Sequence, residues 1–469
     1  MAEALRLWLT SRSQYEDGFF CPRSRQLQYH SGPNGYGMKR KAESLPLATG
    51  TSVDRPLAAI LEWILKTGDM SGVEQVAHDA IAASKKAYLE VVERRGIQNL
   101  SQDETADIVT EEQLILIDAL VWSWVLEALD DYLNRFAIVS VQHPEELVID
   151  CTCGLGDRIG SFRDHHDRKC DGIGLMGRLD LISRAHATGE LCYHEFKTAG
   201  SLNKSWEQQW ADKLQFVMGV TAAEARLDEP ITEHAVYGLL KGSRRHKDRL
   251  SDGTYGGPII QDSRLVYPFF NPGSPPVEPE DWQIEFEQTD ELTGVKRRLP
   301  RKYQKTFLGL HTDAKALAKA EGMSLGEYWT RIAPPKVRQS HIAYIGPLRI
   351  SQTMKRKLLR QVIAVERDWQ RKAWAIYEAF DAAAGEWDNA EFQAAMDEHA
   401  PCSWECKKYT SRYACQFHRM CFEEAGWSEP LDSEYYIPRR PHHAPELQQA
   451  EDRGLAPPAE GMEEDDDGT

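Results

Sequence analysis

Gly177-Arg178-Leu179-Asp180-Leu181-Ile182 opens the stretch that decides the fold. After the turn Ala185-His186-Ala187-Thr188-Gly189 it resumes as Glu190-Leu191-Cys192-Tyr193-His194-Glu195-Phe196-Lys197-Thr198. Two strand-like runs around a glycine-containing turn predict a β-hairpin. Side chains on a strand alternate faces, so Glu195 and Lys197 point one way while Phe196 packs behind them. Asp180 lies across the hairpin, within reach of the same face. Two carboxylates and an ammonium at one spot are costly in an ordinary core and useful around a hard divalent cation. Magnesium and manganese take carboxylate and phosphate oxygens, and a lysine beside them can orient a water or a phosphate. Without that chemistry, the same three residues are ordinary charges on a solvated hairpin.

Working outward, composition sets the limits. A chain of 469 residues can bury a large core, and its length allows two or three domains. Residues Met1 to Phe20 carry Glu3, Glu16 and Asp17 and hold no long apolar run, so no secretory signal is expected. Leu114 to Leu129, the most apolar segment, contains Asp118 and Glu127 and is too short and polar to span a bilayer. A cytoplasmic protein with no membrane partner is the expectation. In that compartment the nine cysteines are reduced or metal-bound rather than paired as disulfides. The net charge of −17 argues against broad nonspecific binding to nucleic acid, although nine acids against one arginine between Pro441 and Thr469 account for −8 of it. That acidic, Pro- and Gly-containing tail, from about residue 431 to 469, is expected to be disordered.

Along the chain, Leu5 to Leu9 precedes Phe20-Cys21-Pro22-Arg23, where Pro22 suits the first turn of a helix. Asp54 leads a helix through Trp63 and, followed by Arg55-Pro56, reads as a helix N-cap. Ser71 to Arg95 and Thr110 to Phe136 read as helices, the second apolar nearly all round and therefore buried. Leu147 to Cys151 reads as a short strand. Cys151, Cys153, His165, His166 and Cys170 lack the paired Cys-x2-Cys spacing of a zinc site. Ser205 to Ala225 reads as a helix carrying Gln215, His234 to Leu240 as a strand, and Thr353 to Phe380 as a long amphipathic helix. Two basic runs, around Arg244, Arg245 and Lys247 and around Arg297 and Arg298, either contact DNA phosphates or are simply solvated. Near the end come Cys402, Cys406, Cys415 and Cys421, a thiol group suited to a metal, zinc included.

Asp180, the hairpin, Glu195-x-Lys197 and a glutamine on the following helix resemble the PD-(D/E)xK nuclease superfamily. Cys21-Pro22-Arg23 at the start and Cys415-x5-Cys421 at the end narrow this to a resemblance to the RecB-type and CRISPR-associated exonucleases that carry an iron–sulfur cluster. The resemblance implies a restriction-endonuclease-like α/β core, a mixed sheet flanked by helices with helical additions, spanning residues 1–430. It implies Asp180 and Glu195 as ligands of magnesium or manganese, Lys197 and Gln215 as their catalytic companions, and single-stranded DNA or DNA ends as substrate. It also implies a 4Fe–4S cluster on Cys21, Cys415, Cys421 and Cys406, with Cys402 as the alternative to Cys406, joining the two ends of the chain. Two positions depart from the pattern. Asp54 stands where those exonucleases have a metal-binding histidine, which makes it either a harder ligand for magnesium or manganese or a helix N-cap, and Gly219 stands where they have the tyrosine of Gln-x-x-x-Tyr. Both departures suit one rival, a DNA-end-binding protein that keeps the fold and cluster but does not cut; the other rival is a zinc-stapled scaffold with no nucleic-acid role.

Overall fold

The computed structural model describes residues 7–31, 36–40, 45–95, 106–151, 172–199, 204–208, 210, 214–240, 287–289, 296–298, 318–332, 339, 342–402, 416, 417, 420, 421, 436–439, 446, 447 and 449. The chain begins with β1 (Leu7–Thr10), α1 (Arg12–Phe20) and α2 (Pro22–Arg25), then a π-helical turn over Gln26–His30. There follow β2 (Met38–Arg40), α3 (Leu45–Thr67), α4 (Val73–Arg95), α5 (Ala106–Glu127) and α6 (Leu129–Arg135). The central elements are β3 (Phe136–Cys151), β4 (Gly172–Ala185), β5 (Leu191–Ala199), α7 (Lys204–Gln208), α8 (Leu214–Leu227) and β6 (Ile231–Leu240). The last are β7 (Glu287–Thr289), β8 (Lys296–Arg298), α9 (Leu325–Ile332), β9 (Ile342–Arg349), α10 (Gln352–Ala382), α11 (Ala390–His399) and β10 (Tyr436–Pro438).

Among the described residues six strands form one mixed sheet. β3, β4 and β5 are antiparallel neighbours, β5 and β6 are parallel and joined through α8, and β9 closes the far edge antiparallel to β6. β1 lies parallel to the first residues of β4, from Leu7↔Gly172 to Thr10↔Leu175. Helices cover both faces. On β5, Cys192 and Phe196 join the apolar cluster of α3, α4 and α5, while Tyr193 joins Trp210, Val220 and Ala223 on the α8 side. The expected mixed sheet flanked by helices is therefore present. Among the described residues no helix is long and apolar enough to cross a membrane.

The hairpin forms as the sequence predicts, with Leu181↔His194 and Arg184↔Leu191 in register. Other expectations need correction. The helix foreseen to Phe136 stops earlier, and Phe136 begins the 16-residue strand β3, of which Leu147 to Cys151 is only the end. Pro144 argues against a central strand, but among the described strands β3 pairs with β4 alone, and an edge tolerates proline. The helix foreseen over Ser205 to Ala225 is split into α7 and α8. Asp54 is not an N-cap: α3 starts at Leu45 and runs through Pro56. Proline cannot donate to the carbonyl four residues back. Ser84 Oγ donates to that Ser52 carbonyl at 2.8 Å instead, so the helix continues without an orphaned acceptor.

Within the expected tail, β10 pairs with β2, Arg439 chelates Glu446 at 3.0 and 3.1 Å, and the Gln449 amide donates to the Leu7 carbonyl at 3.2 Å. These residues pack on the N-terminal segment; residues 451–469 lie outside the described residues.

Candidate active site

The β4–β5 ladder runs from Arg184↔Leu191 to Leu181↔His194, whereas β5 stays with β6 as far as Ala199↔Leu240. Past its last rung with β4, β5 continues on β6 alone, and Asp180 stands where the two strands part. The Phe196 N–H, two residues past the last rung, donates to Asp180 Oδ2 at 2.8 Å. That bond fixes the aspartate against the strand that carries the other two site residues. Glu195 is buried, with 2% of its side chain exposed. Lys197 is 25% exposed and sets its ammonium 2.5 Å from Glu195 Oε1.

Asp180, Glu195 and Lys197 thus come together as the sequence suggested. Burial, and then the neighbouring Glu195 charge, push the Asp180 carboxyl up to about 7; Lys197, the Phe196 N–H and Arg178 oppose the shift. For Lys197, burial disfavours the ammonium, but Glu195, Asp180 and Asp54 outweigh it and hold the pKa above the ordinary lysine value. Asp54 thus belongs to the same electrostatic field, carried there by α3. A Cβ on Gly50 of that helix would meet Thr198 Oγ1 at 3.3 Å, so the glycine lets α3 approach the end of β5 closely.

On the reverse face of β5, where Phe196 was expected to pack, His194 was not singled out in the sequence. His194 Nε2 lies 2.6 Å from Ser183 Oγ, inside a box formed by Tyr132, Phe136 and Tyr237. Burial, then the Arg135 charge, drive the His194 pKa down to about 3, so the ring is neutral. Phe196 packs edge-on to Trp124 at 5.4 Å and stacks on Tyr237 at 5.5 Å. A buried clamp was missed as well: Arg226 of α8 binds Glu145 of β3 at 2.7 Å and ties that helix to the sheet.

Gln215 is the second residue of α8, and its side chain lies outside the described residues. One turn on, a Cβ at Gly219 would stand 2.3 Å from Leu179 Cδ2. Leu179 precedes Asp180 and is buried, so a tyrosine at 219 would displace the neighbour of a site carboxylate. Leu179 thus fills the space beside Gly219.

Described residues from the N-terminal and C-terminal parts of the chain meet. Cys21 is buried at the start of α2, while Cys402 and Cys421 are partly buried. Arg23 Nε donates to the Ala400 carbonyl at 2.9 Å, and Arg23 pairs with Asp397. Leu27, Ala400, Phe417 and Met420 share one apolar cluster, with Cys421 packed against it. Arg25 chelates Glu366 of α10 at 3.0 and 2.6 Å, and the Trp8 indole N–H donates to the same carboxylate at 2.7 Å. Cys406 and Cys415 lie outside the described residues, as do Arg244, Arg245 and Lys247, Cys153, His165, His166 and Cys170. Arg297 and Arg298 form part of β8, with side chains outside the described residues.

The chain matches no protein-family model and no curated protein.

Chemically, the fork offers two adjacent carboxylates, of which Asp180 is held back from ionising by burial and by Glu195, and an ammonium that is reliably charged. Among the described residues, no group of three or more His, Cys, Asp or Glu is arranged to hold a metal ion. Two carboxylates are nonetheless the usual protein share of a magnesium site whose remaining ligands are waters and substrate phosphate oxygens.

Proposed function

We propose that this chain is a magnesium- or manganese-dependent deoxyribonuclease of the PD-(D/E)xK type, an exonuclease on single-stranded DNA or DNA ends acting in the cytoplasm. The observation that carries the proposal is the convergence of Asp180, Glu195 and Lys197 at the point where β5 leaves β4. A carboxyl pushed up to about 7 beside a second carboxylate is a donor set that a divalent cation relieves. Asp180 and Glu195 would hold the ion, with Asp54 adding to the negative field. Bound there, the ion would acidify a water and polarise the phosphate. Asp180 would give up the proton it holds near neutrality, and the Phe196 N–H would keep its carboxylate aimed. Lys197 would use its ammonium to steady charge on a phosphate oxygen.

The proposal extends to a 4Fe–4S cluster held by Cys21, Cys415, Cys421 and Cys406, with Cys402 as the alternative to Cys406. Its support is the junction that brings the segment from Cys21 to Leu27 against Asp397, Ala400, Phe417 and Met420. Four thiolates suit such a cluster, which would cross-link a loop of most of the chain and so stabilise it against unfolding. Anaerobic protein is expected to be brown with about four irons per chain. Cys21→Ala is expected to lose the iron and to expose the C-terminal segment to protease. Stoichiometric zinc without iron would contradict the cluster and leave the fork as the sole support for nuclease chemistry. Incubation of end-labelled single-stranded DNA with manganese tests the activity. Binding without cutting would favour the non-cutting rival.

A further inference from the structure

Phe19 and Phe20 end α1 and are 60% and 50% exposed, the most exposed large apolar side chains among the described residues. Two adjacent rings held in water lose the burial that would repay them. The rest of α1 is committed inward. Tyr15 is buried in a cluster with Met218 and Ala222 of α8 and Val362 of α10, and a Cβ on Gly18 would stand 3.0 Å from the Trp369 indole nitrogen. The Phe19 ring sits edge-on to Tyr15, centroids 4.9 Å apart, so the exposed pair is mounted on a packed base.

Their position follows from the helix directions. Lys355 pairs with Glu224, Val362 lies level with Met218 and Ala222, and α10 therefore runs opposite to α8. α1 follows α10, with Tyr15 at Val362 and Gly18 at Trp369. Phe19 and Phe20 consequently lie toward the N-terminal end of α8. Because α8 joins the parallel strands β5 and β6, that is the end at which β5 finishes with Glu195, Lys197 and Ala199. Nearby on α10, Arg371 and Lys372 share the single carboxylate of Asp368 at 3.1 and 2.6 Å, which leaves net positive charge. α1 carries two acids of its own, Glu16 and Asp17. Glu16 pairs with Arg12 at 3.8 Å, and burial raises the Asp17 carboxyl to about 6.

Flat exposed rings beside cations match an unpaired nucleic-acid strand, whose bases stack while its phosphates meet positive charge. Resting on the nuclease proposal above, we propose that Phe19 and Phe20 form a shelf on which two unpaired bases of single-stranded DNA stack as the strand enters the Asp180–Glu195 site. A duplex cannot use it, because its bases are already stacked on each other.

The probe is a labelled oligothymidylate, its binding to full-length protein followed by fluorescence anisotropy without divalent metal. Phe19→Ala and Phe20→Ala are each expected to weaken binding about tenfold, and Phe19→Trp to retain it. An abasic oligomer of the same length is expected to bind wild type and variants alike. Both rings are exposed, so thermal melting should be unchanged. If wild type binds oligothymidylate and the alanine variants bind equally well, the shelf is overturned while the nuclease proposal stands. If wild type binds no DNA of any kind, both are overturned. A wild-type dimer that Phe19→Ala dissociates would assign the rings to a second copy of the chain and overturn the shelf.

Discussion

Toward its C-terminal end, the two faces of β5 are made of opposite materials. One carries Glu195 and Lys197 beside Asp180, where burial and then the Glu195 charge push the Asp180 carboxyl up to about 7. The other carries His194 and Phe196 in an aromatic box where the histidine is kept neutral. One residue of translation along the strand separates the two environments. The packed face fixes the backbone, and that rigidity holds like charges together on the other face at a cost to stability. A site for a cation needs both: donors that repel one another when empty, and a scaffold that does not let them part.

Substitutions should therefore act differently on the two faces. On the charged face, Asp180→Asn, Glu195→Gln and Lys197→Met are each expected to lower cleavage about a thousandfold or more while circular dichroism stays unchanged. The pKa of Asp180 is raised in the folded protein, so its ionised form opposes folding above the ordinary aspartate range. In metal-free protein at about pH 8, Asp180→Asn should therefore raise the melting temperature as it removes activity. A fall in melting temperature would show that the carboxylate is structurally required rather than tolerated.

On the packed face the order reverses. Phe196→Ala is expected to cost about 3–5 kcal/mol in denaturant unfolding, the usual penalty for emptying an aromatic site in a core. A loss below about 1 kcal/mol would mean that the box does not anchor the strand.

Acid sharpens the comparison further. The folded His194 pKa of about 3 lies below the unfolded value, so the unfolded state binds the proton first and stability falls as pH falls. Between about pH 7 and pH 5 the loss should be about 2 kcal/mol, and His194→Leu should flatten that slope. The smallest effect is expected at Asp54. Asp54→Asn should raise the manganese requirement a few-fold, about 1 kcal/mol, without lowering the melting temperature. Thermal destabilisation with an unchanged metal titration would make Asp54 a packing residue of α3.

The hairpin was legible because alternation and the Gly189 turn are local signals, and they put Glu195 and Lys197 on one face. The fork was not legible. It depends on where β5 leaves β4 and stays with β6, a pairing set by residues some forty positions apart. β3 was hidden by Pro144 and its polar neighbours, which only an edge strand accepts. Asp54 looked like a possible helix start because Arg55-Pro56 follows it, yet Ser84 of another helix satisfies the carbonyl that Pro56 leaves open. Gly219 read as a gap in a motif until Leu179 was seen to fill the space. Each miss came from a partner distant in sequence.

The account turns on whether the charged fork cuts DNA. End-labelled single-stranded DNA should be incubated with anaerobically purified wild-type and Glu195→Gln protein, with and without manganese. Cleavage by wild type only with the metal, and none above background by the folded variant, is the expected result. Equal cleavage by both proteins, or none by wild type with manganese or magnesium, would contradict the assignment.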